Sequence, residues 1–343
     1  MMQQTYIGID IGRSSTKLVA AWDHDGSIQR KNLIFPSAVS PAIEITDATT
    51  AQHARSDIVA VGERTFFIGK TALLQGKDEM TGGLRDDWAA RPEHMALFLG
   101  SLHKLRLGGV PRVDTAILVL GLPAKHYASQ HKQLAKQLSA QAPGCTVRLR
   151  PQPLGPLMRA LFLDDGRENP EIDPDNERWA VIEIGQYTTD FALLEHGQVI
   201  ETASDSGPGM RLAAEQLIRE LQNHRGISID LPEATEILEK KVVRHFGESI
   251  NVEPLVLEAV RPLANVVAQK AEQLFGQSVR KLNGILVAGG GASLIQPHLA
   301  AQWRHARLVE DPRFAVAEGF CRFAIAYHRS QAAVNVGQGS KVA

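Results

Sequence analysis

The sequence has little cysteine. It holds two residues, Cys145 and Cys321, far apart, with no second ligand at metal spacing near either one. So few thiols build no disulfide framework, and the plain reading is a reduced, cytoplasmic protein. The 12 histidines form no HxxxH or HxH pair, which removes the common zinc signatures. Charge of either sign is not in excess: the formal net charge is -1, so no bulk field favours nucleic acid, and basic character is confined to local pairs such as Arg148 and Arg150. No apolar run approaches the ~18 residues of a membrane span. The opening Met1-Met2-Gln3-Gln4-Thr5 lacks the basic and apolar regions of a signal peptide. What remains is ordinary for a globular chain, with 44% apolar and 22% charged residues, and 343 residues suit two modest domains.

Apolar alternation at Ile7, Ile9 and Ile11 predicts a strand over 5–11. A small polar turn, Gly12-Arg13-Ser14-Ser15, leads to a returning strand over 16–22. The same device recurs in mid-chain: a strand over 180–184, the turn Gly185-Gln186-Tyr187-Thr188, and a return over 189–194, followed by Gln198 to Thr202. Asp10-Ile11-Gly12-Arg13-Ser14-Ser15-Thr16 aligns with Glu183-Ile184-Gly185-Gln186-Tyr187-Thr188-Thr189, with carboxylate, Ile, Gly and Thr at one offset. Such an internal repeat implies two halves built alike. Between the repeats, 34–40, 58–61, 66–69 and 115–121 read as strands, and 93–107 and 127–138 as helices. The acidic, proline-bearing stretch 164–176 reads as a loop. Beyond it, 210–223, 232–246, 253–275 and 314–328 read as helices, and 284–288 as a buried strand closing on Gly289-Gly290-Gly291. The segment from Gly337 to Ala343 reads as a loose tail.

Three motifs carry chemistry. In the first, the glycine at the tip lets backbone amides approach phosphate oxygens, Ser14 and Ser15 add hydroxyl donors, and Lys17 offers countercharge. Asp10, at the strand end, suits Mg²⁺ held through water. The second repeats this physics with Glu183, Gly185, Gln186, Tyr187 and Thr188. The third, Ile285-Leu286-Val287-Ala288-Gly289-Gly290-Gly291-Ala292-Ser293-Leu294, ends a buried strand in glycines that permit close contact with a base or ribose, ahead of a helix N-terminus. Asp190 lies on the returning strand, either beside the site or in a salt bridge. Gly207-Pro208-Gly209 either turns its amides to phosphate or starts a helix with Pro near N1.

These three motifs, in this order, resemble the two phosphate motifs and the adenosine motif of the superfamily of actins, heat-shock chaperone ATPases and sugar kinases, over nearly the whole chain. The resemblance implies an α/β, two-lobed actin-like fold: duplicated ribonuclease-H-like domains with mixed sheets flanked by helices and a nucleotide cleft between the lobes. It implies a first domain over 1–160 with a C-terminal helix at 314–335 and a small subdomain near 32–95, a second domain over 161–313, and a flexible tail at 336–343. Val61-Gly62-Glu63, Phe67-Ile68-Gly69 and the run Asp311-Pro312-Arg313-Phe314-Ala315-Val316-Ala317-Glu318-Gly319-Phe320 look like features of the ParM/StbA plasmid-partition actins. In Arg150-Pro151-Gln152-Pro153-Leu154-Gly155, Gln152 stands where the family carries the residue that orients the attacking water. A glutamine positions water without acting as a base, which implies slow hydrolysis. Glu183 departs from the family's Asp by one methylene, which puts efficient hydrolysis in doubt more than binding.

The resemblance implies ATP or GTP with Mg²⁺ (Asp10 and Glu183 through water), head-to-tail self-association into filaments, and a DNA-binding adaptor on plasmid DNA, without direct nucleic-acid or membrane contact. The alternatives are a nucleotide-switched scaffold of the PilM or FtsA type, or a small-molecule kinase. A chaperone has no room here for its substrate domain. The Cys-rich zinc motif of one sugar-kinase subgroup is missing, and the C-terminal residues do not form the amphipathic membrane helix of FtsA-like proteins.

Overall fold

The computed structural model describes residues 4–76 and 88–339. Contacts divide the chain into two compact units, Met1–Ile172 with Phe314–Ala343, and Asp173–Arg313.

The first unit opens with a meander of β1 (Thr5–Ile11), β2 (Ser15–His24) and β3 (Ser27–Pro36), antiparallel in sequence order. Ile7, Ile9 and Ile11 are buried, as their alternation requires. Asp25 and Gly26 both take positive φ in the β2–β3 turn, the two left-handed positions of a type I′ hairpin. The run expected as one strand over 34–40 is instead the end of β3 and the start of β4 (Val39–Pro41), which belongs to another sheet. Pro36, within that run, and Pro41, just beyond it, lack the N–H that a continuous ladder needs.

Next come α1 (Ala48–Ala54), β5 (Ile58–Val61), β6 (Arg64–Ile68) and α2 (Gly69–Gln75). β4, β6 and β5 make a three-stranded sheet. Buried Asp57 accepts from the Thr71 amide at 3.0 Å and its hydroxyl at 2.7 Å, and pairs with Lys104 on α3 (Pro92–Leu107). It thereby satisfies a first-turn amide of α2, which has no cap of its own. β7 (Ile117–Leu122), α4 (Ala124–Gln141), β8 (Thr146–Pro151) and α5 (Leu154–Leu161) complete this stretch. The main sheet runs β3-β2-β1-β7-β8, with β1, β7 and β8 parallel.

The second unit repeats that sheet. β9 (Arg178–Ile184), β10 (Thr188–Glu195) and β11 (Gln198–Val199) form the antiparallel part, and β12 (Asp205–Pro208) also pairs with β10. Helices α6 (Arg211–Arg225) and α7 (Leu231–Lys240) follow. The helix expected over 232–246 stops early. Lys241 turns left-handed (φ 59), and the chain forms a hairpin of β13 (Val242–His245) and β14 (Glu248–Asn251) around Phe246 and Gly247, both of positive φ. The β-branched pair Val242-Val243 and the following Gly247 favour a strand and turn over helix. Then come α8 (Glu253–Phe275), β15 (Gly284–Ala288), α9 (Ala292–Gln302) and β16 (Ala306–Leu308). The sheet order β11-β10-β9-β15-β16, with β9, β15 and β16 parallel, matches the first unit strand for strand.

The chain returns to the first unit as α10 (Ala315–Gly339). Its helix continues through 336–339, which were expected in the tail; 340–343 lie outside the described residues. α10 presses closely on its neighbours. A Cβ on Gly8 of β1 would lie 1.9 Å from the Ala317 carbonyl oxygen, and one on Gly319 would lie 1.8 Å from that of Gly155 in α5. Arg30 on β3 donates to Glu318 at 2.6 Å, and Arg322 joins Glu318 (2.8 Å) and Asp164.

Candidate functional site

In the first unit the site gathers at the turn end of the β1–β2 hairpin. Asp10 is the penultimate residue of β1, 4% exposed, and lies directly opposite Lys17 on β2. Residues opposite each other in a ladder share a face. The Lys17 ammonium accordingly reaches Asp10 Oδ2 at 3.0 Å. Gln152 follows β8, held by its amide to the Leu122 carbonyl at 2.7 Å, and its Nε2 donates to Asp10 Oδ1 at 2.9 Å. That bond fixes the amide orientation and leaves Oε1 as an acceptor. The sequence named Asp10, Lys17 and Gln152 separately; the structure joins them in one hydrogen-bonded triplet.

The tip itself, Gly12-Arg13-Ser14, is tied down by the Ser37 amide donating to the Ser14 carbonyl at 2.9 Å, and by Thr16 sharing a 2.8 Å hydroxyl contact with Ser37. Ser14 is exposed, and Gly12, Arg13 and Ser15 are half-buried. A Cβ on Gly12 would sit 2.9 Å from the Ser15 carbonyl and 3.2 Å from Lys17 Nζ. Glycine there lets the lysine fold under the tip. Ser37 sits on the β3–β4 link, and no motif in the sequence marked it.

The second hairpin has the same backbone and different chemistry. Glu183 on β9 lies opposite Asp190 on β10, the register that holds Asp10 and Lys17 in the first. Asp190 is 3% exposed and accepts from the Thr188 hydroxyl at 3.1 Å and from the Ser206 hydroxyl. These hydroxyl partners lie on its own strand and on β12. The tip is belted: the amides of Gly209, Met210 and Arg211 donate to the carbonyls of Tyr187 (3.1 Å), Gly185 (3.0 Å) and Gln186 (2.7 Å). These carbonyls take the amides of Gly209 and of the start of α6; Pro208 ends β12 and is not near N1 of α6, which begins at Arg211 behind its N-cap Met210, so the helix-start expectation for Gly207-Pro208-Gly209 is corrected. A Cβ on Gly209 would lie 2.6 Å from both the Gly185 carbonyl and the Thr188 amide. Gln186 donates to Thr235 on α7 at 3.0 Å.

The glycine run after β15 packs on this hairpin. Gly289 (φ +92) donates to the Pro312 carbonyl at 2.8 Å, and Gly291 to that of Ile184 at 3.0 Å. A Cβ on Gly289 would stand 2.3 Å from the Ile184 carbonyl and 2.7 Å from Glu183 Oε1, and one on Gly291 would stand 2.5 Å from Met210. Close packing therefore accounts for both. Gly290 alone is exposed, and a Cβ placed there would meet only Arg313 Nε, at 3.8 Å. The extra methylene of Glu183 brings its carboxylate to the space that Gly289 leaves.

Among the described residues, no group of three or more His, Cys, Asp or Glu is placed to hold a metal, and no helix is long and apolar enough to cross a membrane. Both cysteines are free, and burial pushes the Cys321 thiol up to about 12.

The comparisons with known proteins agree with this duplicated architecture. Residues 8–155 match the family of actin-like proteins' N-terminal domains, and residues 181–301 match the C-terminal domain of archaeal MreB-like actin homologues. No curated protein matches the chain significantly by sequence. Among solved structures, an archaeal actin homolog is similar at 20% identity and TM-score 0.70, covering 94% of this chain and 99% of its own. The 15-stranded ParM filament from Clostridium botulinum gives 20% identity and TM-score 0.67 with the same coverages. The archaeal homolog is also solved in complex with ADP, at 20% identity, TM-score 0.67 and coverages of 94% and 99%. The chain belongs to the actin-like superfamily and has its two-domain, ParM-like fold.

Proposed function

We propose that the chain binds a nucleoside triphosphate, ATP or GTP, with Mg²⁺, and that the bound nucleotide drives head-to-tail assembly into filaments. The observation that carries this reading is Asp10, a buried carboxylate at a glycine-bearing hairpin tip, engaged on one oxygen by Lys17 and on the other by Gln152. A carboxylate has about four lone-pair sites. Asp10 therefore keeps acceptor capacity for metal-bound water, which suits Mg²⁺, an ion that retains several waters and takes one or two carboxylates beside phosphate. Bound there, Mg²⁺ supplies charge neutralisation to the phosphates. The tip residues Gly12, Arg13, Ser14 and Ser15 bind phosphate, Lys17 adds countercharge, and Gln152 Oε1 orients a water for slow hydrolysis. Glu183, Gly185, Gln186, Tyr187 and Thr188 form the second phosphate-binding tip, and the Gly289-Gly290-Gly291 turn receives the nucleoside, with Gly290 as its accessible member.

The filament reading draws support from the ParM filament of similar fold, and the nucleotide reading from the ADP complex of the archaeal homolog. In this reading the protein works in the cytoplasm, in plasmid DNA segregation, with a DNA-binding adaptor engaging the filament. A second reading, a nucleotide-switched scaffold with negligible turnover, is favoured by the Glu183 carboxylate lying against Gly289. Light scattering on adding Mg-ATP or Mg-GTP, with phosphate release followed in parallel, tests both. Scattering that rises only with triphosphate, with slow phosphate release, supports the filament. Flat scattering with tight binding and no phosphate release supports the scaffold.

A further inference from the structure

The arginine pair noted in the sequence has no part in the nucleotide site. Arg148 and Arg150 lie two positions apart on β8, so their side chains share one face of the strand about 7 Å apart. Val147 and Leu149 point the other way, into the core. Each guanidinium is laid on an aromatic ring of α10: Arg148 over Tyr327 at 4.8 Å and Arg150 over Phe323 at 4.5 Å. Arg148 also donates to the Tyr327 hydroxyl, and Arg150 to the Leu149 carbonyl at 3.0 Å. Among the described residues neither arginine meets a carboxylate. Stacking fixes the planes of both forks and leaves most of their N–H donors uncommitted, the arrangement that recognises carboxylates bidentately.

The strand itself is open on this side. β8 is the last strand of its sheet. The Thr146 and Gln152 amides donate toward β7, to Ala116 and Leu122, so Val147 and Leu149 turn their amides outward, while Pro151 has none. The Leu149 carbonyl is taken by the Tyr127 hydroxyl at 3.0 Å, which leaves the backbone of Val147 on the open edge.

We propose that this flank of β8 and α10 docks an extended acidic segment of a partner protein, its carboxylates spaced two residues apart to meet Arg148 and Arg150. One feature selects a peptide over a nucleic acid: the arginine spacing equals the same-face repeat of a strand. Aromatic walls beneath the arginines add contact for the peptide's methylenes.

The test uses the full chain and a fluorescent eight-residue peptide of alternating Thr and Glu, with a Thr–Gln peptide and an eight-nucleotide oligothymidylate as competitors. Saturable anisotropy with the Thr–Glu peptide is expected, weakened at least tenfold in the Arg148→Gln/Arg150→Gln double variant and partly in Arg148→Lys, which keeps charge but loses the fork. Nucleotide binding and thermal unfolding of these variants should match the parent, which separates this strip from the nucleotide reading. No saturable binding, equal binding of the Thr–Gln peptide, indifference to both substitutions, or stronger competition by the oligonucleotide would each overturn the proposal.

Discussion

The two hairpins at the heart of this molecule share a backbone and differ in charge. In β1–β2 the paired positions are Asp10 and Lys17, an ion pair 3.0 Å long with side chains 6% and 14% exposed. In β9–β10 the same positions are Glu183 and Asp190, two carboxylates. Like charges opposed across a ladder destabilise it. The second hairpin compensates with hydroxyls on Asp190 and a belt of three amides from the start of α6. The first tip thus combines an ion pair of its own strands with one amide from the β3–β4 link, and the second relies on three amides from the start of α6. The difference teaches that duplication preserved the fold of the device while its electrostatics diverged.

The comparison breaks most completely at the glycines that let other elements close on each hairpin. Gly8→Ala would drive a Cβ to 1.9 Å from backbone of α10, and Gly209→Ala to 2.6 Å from the second tip. Overpacking typically costs about 1–3 kcal/mol, more where only backbone can yield. Gly8→Ala is expected to be the worse of the two, near loss of soluble folded protein, read by urea titration.

Asp10→Ala strands the mostly buried Lys17. Removing one partner of a buried pair costs about 3–5 kcal/mol, and the exposure remaining here places the effect at the lower end. Nucleotide affinity with Mg²⁺, measured by titration of a fluorescent analogue, should fall at least a hundredfold. The pH response sharpens the contrast between units. His94 on α3 is fully buried and neutral, its pKa pushed down to about 4 by desolvation. The unfolded chain, with the ordinary value near 6.5, binds the extra proton first as pH falls. Stability should therefore be full above about pH 6.5 and decline toward pH 4 by about 3 kcal/mol. In the His94→Phe variant, denaturation curves across that window should flatten. The smallest expected effect is Asp190→Asn. It removes the like charge opposite Glu183 and keeps an acceptor for Ser206, so stability should move by about 1 kcal/mol or less, upward if repulsion dominates. A drop comparable to that of Asp10→Ala would end the contrast drawn between the two tips.

The repeat itself was legible in the sequence, because a shared carboxylate–Ile–Gly–Thr pattern at the end of an apolar strand survives at both hairpins. β1, β5, α8 and β15 have the bounds that periodicity gives. The hairpin of β13 and β14 was masked: the apolar positions of 232–246 suit a helix, and the opposing signal, the β-branched Val242-Val243 and Gly247, begins only after Lys241 turns left-handed. The Asp10–Lys17–Gln152 triplet was half legible. Lys17 follows from the hairpin register, but the approach of Gln152 depends on β8 lying two strands away. Ser37, Ser206 and Thr235 carry no local signal, since each reaches its tip from a separate element.

The return of α10 to the first unit has a consequence for biosynthesis. The first unit is discontinuous, with Asp173–Arg313 inserted between its parts. On the ribosome, β1 and α5 emerge early, yet the helix that buries Gly8 and Gly155 emerges only after the whole inserted unit. The inserted unit, continuous in sequence, can fold as it emerges, while the first waits with apolar surface uncovered until α10 is released. That interval is when the chain would depend most on a chaperone, and a truncation before Phe314 would leave it permanently in that state.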